Sequence, residues 1–278
     1  MRRWTISYVA HDGLPRRAYV VLPRWYGPRN HPPLPLIISP HGRGIAALDN
    51  ARRWGNLPGL GRFALVNPEG QGRELTLYSW GDPGEIADLA RMPRIVTSRL
   101  GWLRIERSRV YAFGSSMGGQ ETLLLVAEHP AVLAGAAAFD SATNLAARYA
   151  AFPLLRFGLE LQRLARIEVG GPPWLDPRAW AVRSPIDWAR QIAFSGVPLQ
   201  IWWSWKDRIV VDQNRESGAL YRRIKRLDPA APVAEYVGSW AHSAEFRATR
   251  RLPYALALFG LMPPYRAHAP GLLAAGGG

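Results

Sequence analysis

Residues 110–119 read Val-Tyr-Ala-Phe-Gly-Ser-Ser-Met-Gly-Gly. An apolar run ends in Gly114-Ser115-Ser116-Met117-Gly118, and a segment of helical character follows. This is G-x-S-x-G in a strand–turn–helix setting, the elbow that carries a nucleophilic serine. The spacing has a physical cause. A hydroxyl attacks well only if it stands clear of the backbone on a sharp turn. That turn strains the serine's own backbone, so the residues two places before and after it must be too small to collide. Gly114 and Gly118 meet this need, and Gly119 lets the following helix approach the sheet. The frame selects Ser116, because Ser115 would be flanked by Phe113 and Met117 where glycines are required. The competing reading is a chance match in a glycine-rich loop, and the flanking strand and helix patterns argue against it.

An elbow serine needs a base, a group to orient the base, and donors for an oxyanion. Where this elbow occurs, the order along the chain is Ser, then Asp or Glu, then His. Six histidines are available. His11, His31, His41 and His129 stand in the wrong order or context, and His268 lies in a Pro/Gly-rich tail, a poor platform for a positioned base. His242 remains, in Gly238-Ser-Trp-Ala-His-Ser, just past the strand-like run 232–237. The orienting acid should follow an earlier strand. Asp207 falls just past the apolar run Pro198–Trp203, and its rival Asp140 closes the run Val132–Phe139. Asp207 is favoured because Asp-x-x-Val-Val and a helix starting near Asp212 make a strand–acid–helix unit. Asp140 otherwise reads as a polar residue opening the next segment, such as a helix cap.

Backbone amides must also face the developing charge. One is expected from Met117, the residue after the nucleophile. The other is expected from the loop after strand Leu34–Ser39, which reads Pro40-His41-Gly42-Arg43-Gly44. Arg43 and Gly44 are the expected donors, with His41 a structural residue of the loop. An ordinary strand-to-helix turn is the bland alternative.

These motifs resemble those of an α/β-hydrolase of the esterase and prolyl-oligopeptidase-like (dienelactone-hydrolase-like) group, over about 34–258. His41-Gly-Arg-Gly resembles the oxyanion loop of esterases, and residues 109–119 resemble the elbow with its strand. Ser184-Pro185, Val197-Pro198, Asp207 to Val211 with Gln213, and Gly238 to His242 resemble the C-terminal half of that group. The resemblance implies a Ser116–Asp207–His242 triad, an acyl-enzyme route, and no metal or organic cofactor. Two departures stand out. The strand before the acid ends in Trp203-Ser204-Trp205 rather than a glycine-containing turn, and 278 residues leave no room for the propeller domain of the group's peptidases. Ester hydrolysis is therefore expected ahead of peptide hydrolysis. A non-catalytic binding protein on the same fold is the reading from outside enzymology.

The length suits one large α/β domain over 1–262, with a Pro/Gly-rich tail over 263–278. The first residues lack an apolar leader and no run is long enough to span a bilayer, so the expectation is a cytoplasmic chain with no integral membrane segment. Cysteine is absent, which excludes disulfides and cysteine-based metal or redox sites. The formal charge is +14, carried almost wholly by arginine, since Lys206 and Lys225 are the only lysines. Nucleic acid, an anionic membrane or acidic substrates could each use that charge. The arginines are spread from Arg2 to Arg266 without the aromatic interleaving of a nucleic-acid module. Compositional bias is therefore preferred, no nucleic-acid partner is expected, and oligomeric state is open. The expected partner is a small-molecule ester.

Asp12-Gly13 between two alternating runs predicts an antiparallel hairpin at the start. Strands then alternate with helices, which predicts a mainly parallel sheet covered on both faces. Strands are expected at 34–39, 63–67, 110–113, 132–139, 198–203 and 233–237, with helices near 46–54, 117–129, 212–227 and 243–259. Residues 69–100 and 141–194 read as insertions, the second about fifty residues long, well beyond ordinary connections. Leu154, Leu155, Phe157, Leu161 and Leu164 recur at helical spacing, so 154–167 reads as a helix, either a lid or a permanently packed insertion. Twelve tryptophans include Trp80, Trp202, Trp203, Trp205 and Trp240 near expected loops or strand ends at the catalytic face. Trp202 and Trp203 must point to opposite faces of their strand. Tyr78, Trp80, Trp205 and Trp240 are the candidate substrate-binding aromatics, favouring an aromatic or bulky acyl group; core packing is the competing role.

Overall fold

The computed structural model describes residues 1–70, 80–244 and 251–263. Its frame is an eight-stranded sheet in the order β1-β2-β4-β3-β5-β6-β7-β8. Strands β1 (Arg2–Val9) and β2 (Pro15–Leu22) form the expected antiparallel hairpin, in register from Arg2 opposite Leu22 to Val9 opposite Pro15. Asp12 Oδ1 accepts from the Leu14 amide and closes the turn. β2 also pairs antiparallel with β4 (Ala64–Pro68). From there to the far edge the pairing is parallel, through β3 (Leu34–Ile38), β5 (Ile105–Ser115), β6 (Gly135–Phe139), β7 (Leu199–Ser204) and β8 (Val233–Gly238). β3, β4, β6 and β7 are buried at every position, as a sheet covered on both faces requires.

The two faces carry separate cores. Leu36, Ile38, Val66, Ala112, Ala136, Ala138, Ile201 and Trp203 face the helices α3 (Pro83–Arg99), α4 (Met117–Glu128), α8 (Ala189–Ala193) and α9 (Ser217–Leu227). Ile37, Leu65, Phe113, Phe139 and Trp202 face α1 (Ala47–Arg53), α2 (Leu57–Gly61) and α10 (Arg251–Leu258). Trp202 and Trp203 thus lie on opposite faces, as strand alternation demands. The second face is strongly aromatic: Trp202 stacks on Tyr236 at 4.2 Å and on Phe139 at 5.5 Å between ring centroids.

Several boundaries differ from expectation for local reasons. Pro130–Val132 is a single 3-10 turn, so β6 begins at Gly135 rather than 132; Pro130 opens that turn, where its missing N–H costs nothing. β5 runs back to Ile105, longer than its apolar core suggests, because its first half is half-exposed. Asp212 takes a left-handed φ of 57°, which delays α9 to Ser217. The proposed 154–167 helix splits. Phe152–Leu154 is a 3-10 turn, Phe157 is left-handed at φ 61°, and α6 runs Gly158–Val169. A Cβ on Gly158 would collide with the Phe152 carbonyl, which fixes this tight entry. The expected last helix appears over 251–258, and 245–250 lie outside the described residues.

Between β6 and β7, α5 (Leu145–Ala151), α6 and α7 (Pro177–Ala181) form a helical cap. It has a small core of its own from Trp80, Leu145, Tyr149, Phe152, Leu161, Ala165 and Trp180. Gln120 Nε2 on α4 donates to the carbonyls of Trp80 and Arg183, tying this region to the body. Among the described residues no helix is long and apolar enough to cross a membrane.

Candidate active site

Ser116 sits where β5 gives way to α4, at φ 61° and ψ −123°. This is a strained conformation for a residue with a side chain. It is held by the Ser116 amide donating to the Phe139 carbonyl at 2.9 Å and by the Ser116 carbonyl accepting from the Gln120 amide. A Cβ on Gly114 would run into the Gly118 backbone, and one on Gly118 into the Pro40 carbonyl. Both elbow glycines are therefore imposed by close backbone on either side. Met117 is the first residue of α4, so its amide has no acceptor within the helix.

The loop after β3 lies against this elbow. A Cβ on Gly42 would stand 3.7 Å from Ser116 Cβ, and Gly44 is left-handed at φ 68°. Arg43 and Gly44 thus belong to a turn beside the serine. Asn50 secures the base of that turn: its Nδ2 lies at 2.9–3.4 Å from Asn67 Oδ1, Ser39 Oγ and the Ser39 and Pro40 carbonyls. His41 is buried, with Nε2 accepting from the Gly70 amide at 3.0 Å and Nδ1 at 3.0 Å from the Gly42 carbonyl. Only the neutral ring with its proton on Nδ1 makes both bonds. Burial pushes its pKa down, which favours the same form. His41 is a structural strut of the loop.

Asp207 follows β7 and is buried. Its Oδ1 accepts from the Ile209 and Val210 amides at 2.8 and 3.0 Å, and its Oδ2 from Gln213 Nε2 at 3.1 Å. The same Oδ2 lies 2.7 Å from His242 Nδ1. His242 comes from the loop after β8 and is 14 % exposed at its side chain. The next residue, Ser243, meets Ser115 hydroxyl to hydroxyl at 2.8 Å. The immediate neighbours of Ser116 and His242 therefore touch, and both residues lie at the carboxyl edge of the sheet. That edge is where open α/β sheets place their chemistry, at the switch point where successive strands depart to opposite sides.

Asp140 holds the histidine loop. Its carboxylate accepts from Trp240 Nε1 at 3.0 Å and from the Ser243 amide at 3.0 Å. One ligand atom each from Asp140, Asp207 and His242 fall within 4.8 Å of one another, so two carboxylates flank one imidazole. Their hydrogen-bond partners distinguish them. The sequence reading missed this clasp, although the indole of Trp240 and an acid at a strand end were both in view. It also missed Ser204. The Ser204 hydroxyl donates to the Trp240 carbonyl at 2.5 Å and accepts from the Trp240 amide at 2.7 Å, stapling the acid loop to the histidine loop. A serine where a glycine was anticipated was the available signal.

The cap reaches the same edge through two buried groups. Glu216 accepts from the Thr143 and Asn144 amides at 2.7 and 2.8 Å, and burial pushes its pKa up. Arg148 Nη2 donates to the Ile209 carbonyl at 2.8 Å, two residues past Asp207, and burial lowers its pKa. Of the aromatic candidates, Trp240 is buried in the second core with the Arg251 guanidinium 4.2 Å from its ring centroid. Trp80 is buried in the cap core against Phe152. Both are packing residues in this structure. Trp205 is 57 % exposed and meets Trp203 edge-on at 4.7 Å. Tyr78 and His268 lie outside the described residues.

The fold recurs in solved structures. An S-formylglutathione hydrolase from Staphylococcus aureus aligns over 93 % of this chain and 98 % of its own, with TM-score 0.67 and 14 % identity. The chain has the α/β-hydrolase fold. A puromycin-hydrolyzing peptidase of Mycobacterium tuberculosis shares that hydrolase fold, with TM-score 0.72 and 18 % identity over 93 % of this chain and 39 % of that one. In sequence, the chain is 26 % identical over 226 residues to poly(3-hydroxyalkanoate) depolymerase C of Paucimonas lemoignei, covering 75 % of this chain. It spans 49 % of that protein's length. No family model matches the chain.

Proposed function

We propose that the chain is a serine hydrolase acting on carboxylic esters through an acyl-enzyme. The observation that carries this reading is the His242–Asp207 bond at 2.7 Å beside a strained serine elbow. An Nδ1–H donated to Asp207 leaves the lone pair of Nε2 as the base. In the proposed reaction, His242 takes the Ser116 proton as the hydroxyl attacks the ester carbonyl. Amides of Met117 and of the Arg43–Gly44 turn stabilise the oxyanion. His242 then gives its proton to the departing alcohol, and water releases the acid by the same steps.

A fluorophosphonate should label the protein, and Ser116→Ala should abolish labelling. The same change should cut p-nitrophenyl acetate turnover by roughly a thousandfold or more while leaving the fold intact. Near-normal hydrolysis by that variant would contradict the assignment. Absence of labelling in the intact protein would favour a non-catalytic binding role. Comparing aminoacyl-arylamides with aryl esters separates peptidase from esterase activity, and the ester should be the better substrate. The exposed ring of Trp205, two residues before Asp207, supports an aromatic or bulky acyl group. The relationship to a poly(3-hydroxyalkanoate) depolymerase adds oligomers of hydroxyalkanoates to the substrates worth testing.

A further inference from the structure

The five most exposed large apolar side chains among the described residues all lie in one short stretch of the cap. They are Leu154 (82 %), Trp174 (75 %), Phe157 (72 %), Leu159 (72 %) and Leu175 (70 %). Ile167, 49 % exposed, belongs to the same stretch. A scattered exposed leucine needs no explanation, but apolar side chains gathered on one surface mark an interaction site.

The residues make up a ridge on α6 and at its two ends. Leu159 and Ile167 are eight residues apart on α6 and share its outer face, while Leu161, Ala165 and Val169 bury the opposite one. Leu154 and Phe157 stand at the entry to α6. At its exit, a Cβ on Gly171 would stand 3.0 Å from Leu175, which places Leu175 against the end of the helix. Trp174 meets Tyr149 edge-on at 6.0 Å beside it. Arginines punctuate the ridge. Arg156, Arg163, Arg166 and Arg178 are exposed, against Glu160 and Asp176. Glu160 is paired with Arg163, and an oxygen of Asp176 caps α7 by accepting from the Ala179 amide. The Arg156 guanidinium lies 4.9 Å from the centroid of the Phe157 ring.

Phe157 adds an independent observation. It holds φ at 61°, where a bulky aromatic residue is a strained choice and asparagine or glycine is the usual occupant. A strained, exposed phenylalanine is poorly explained by folding alone.

We infer that this ridge docks onto an anionic phospholipid surface. Apolar side chains at the crest with arginines beside them suit the boundary between acyl chains and negatively charged head groups. The chain as a whole is +14, which draws it to such a surface. The inference does not depend on the hydrolase reading, because its readout is binding.

The test is sedimentation of the purified protein with vesicles of phosphatidylcholine alone and with roughly one-third phosphatidylglycerol. Wild type should pellet with the anionic vesicles and not with the neutral ones, and should be released by high salt. Phe157→Asn with Leu159→Gln should weaken anionic binding about tenfold or more. Phe157→Asn alone should melt no lower than wild type, because asparagine accepts the left-handed backbone. Arg156→Gln with Arg166→Gln should weaken binding by a similar factor and flatten its salt dependence. Failure of wild type to bind anionic vesicles, or equal binding to both kinds, overturns the inference. So does a dimer that the Phe157 and Leu159 changes dissociate, since the ridge would then be covered by a second copy.

Discussion

The carboxylate of Asp207 accepts four hydrogen bonds, one of them from the His242 ring if Nδ1 carries the proton. Replacing it with asparagine sets an amide N–H against the imidazole or against Gln213 and turns the ring to the wrong tautomer. Asp207→Asn should therefore lower kcat by about 10³–10⁴. Asp140→Asn should act differently. It weakens the bonds to Trp240 and Ser243, so it should cost about 1–2 kcal/mol in urea unfolding and reduce kcat less than Asp207→Asn does. The larger kcat loss falling on Asp140 would reverse the two roles. Glu168 on α6 offers a test at equilibrium. Burial pushes its pKa up to about 9, with Asp82 and Glu121 adding to the rise and Arg183 opposing it. A carboxylate raised in the folded state favours the fold most when protonated, and that advantage is lost as pH climbs from the unfolded value near 4.5 towards 9. Glu168→Gln should match wild type below about pH 4.5 and be more stable by about 1–2 kcal/mol at pH 9, allowing for the partial exposure of the group. Equal stability at both ends of that range would contradict it. At this scale the sequence pointed to Ser116, Asp207 and His242 as candidates because chain order and strand ends constrain them, and the structure puts Asp207 against His242. It did not show Ser115–Ser243 or Asp140–Trp240, because contacts between residues a hundred or more places apart leave no local pattern.

The elbow is an element whose parts cannot be exchanged singly. Gly118→Ala drives a methyl group into the Pro40 carbonyl and so presses the turn at Arg43–Gly44 away from the serine. It should destabilise by about 1–3 kcal/mol and lower kcat more than it changes KM, measured by thermal melting and steady-state kinetics. A fully active, fully stable Gly118→Ala protein would show that this packing is dispensable. Elements were legible where periodicity was sustained, as in the hairpin, the strands β3 to β8 and α4. Boundaries were misjudged where one residue overrode the pattern: Asp212 and Phe157 in left-handed conformations, and Pro130 opening a 3-10 turn. No periodicity analysis sees a single φ angle.

The whole molecule follows from the sheet. Alternating strands and helices announced a parallel array, and the two-faced cores follow from strands buried at every position. The cap was visible as excess length and one run of helical spacing over 154–167, and its packing was not. Its fold depends on packing Trp80 from one insertion against Phe152 from the other, a meeting the linear order hides. The arginine excess read as compositional bias in sequence, and the ridge of α6 gives part of it a surface on which to act.

The staple at Ser204 has a consequence for the timing of motion. One hydroxyl joins the turn that carries the acid to the turn that carries the imidazole. Any opening that swings one turn must take the other with it, so the orienting pair travels as a unit. Widening the gap to the serine would then have to break the Ser115–Ser243 contact, while the carboxylate keeps its grip on the ring.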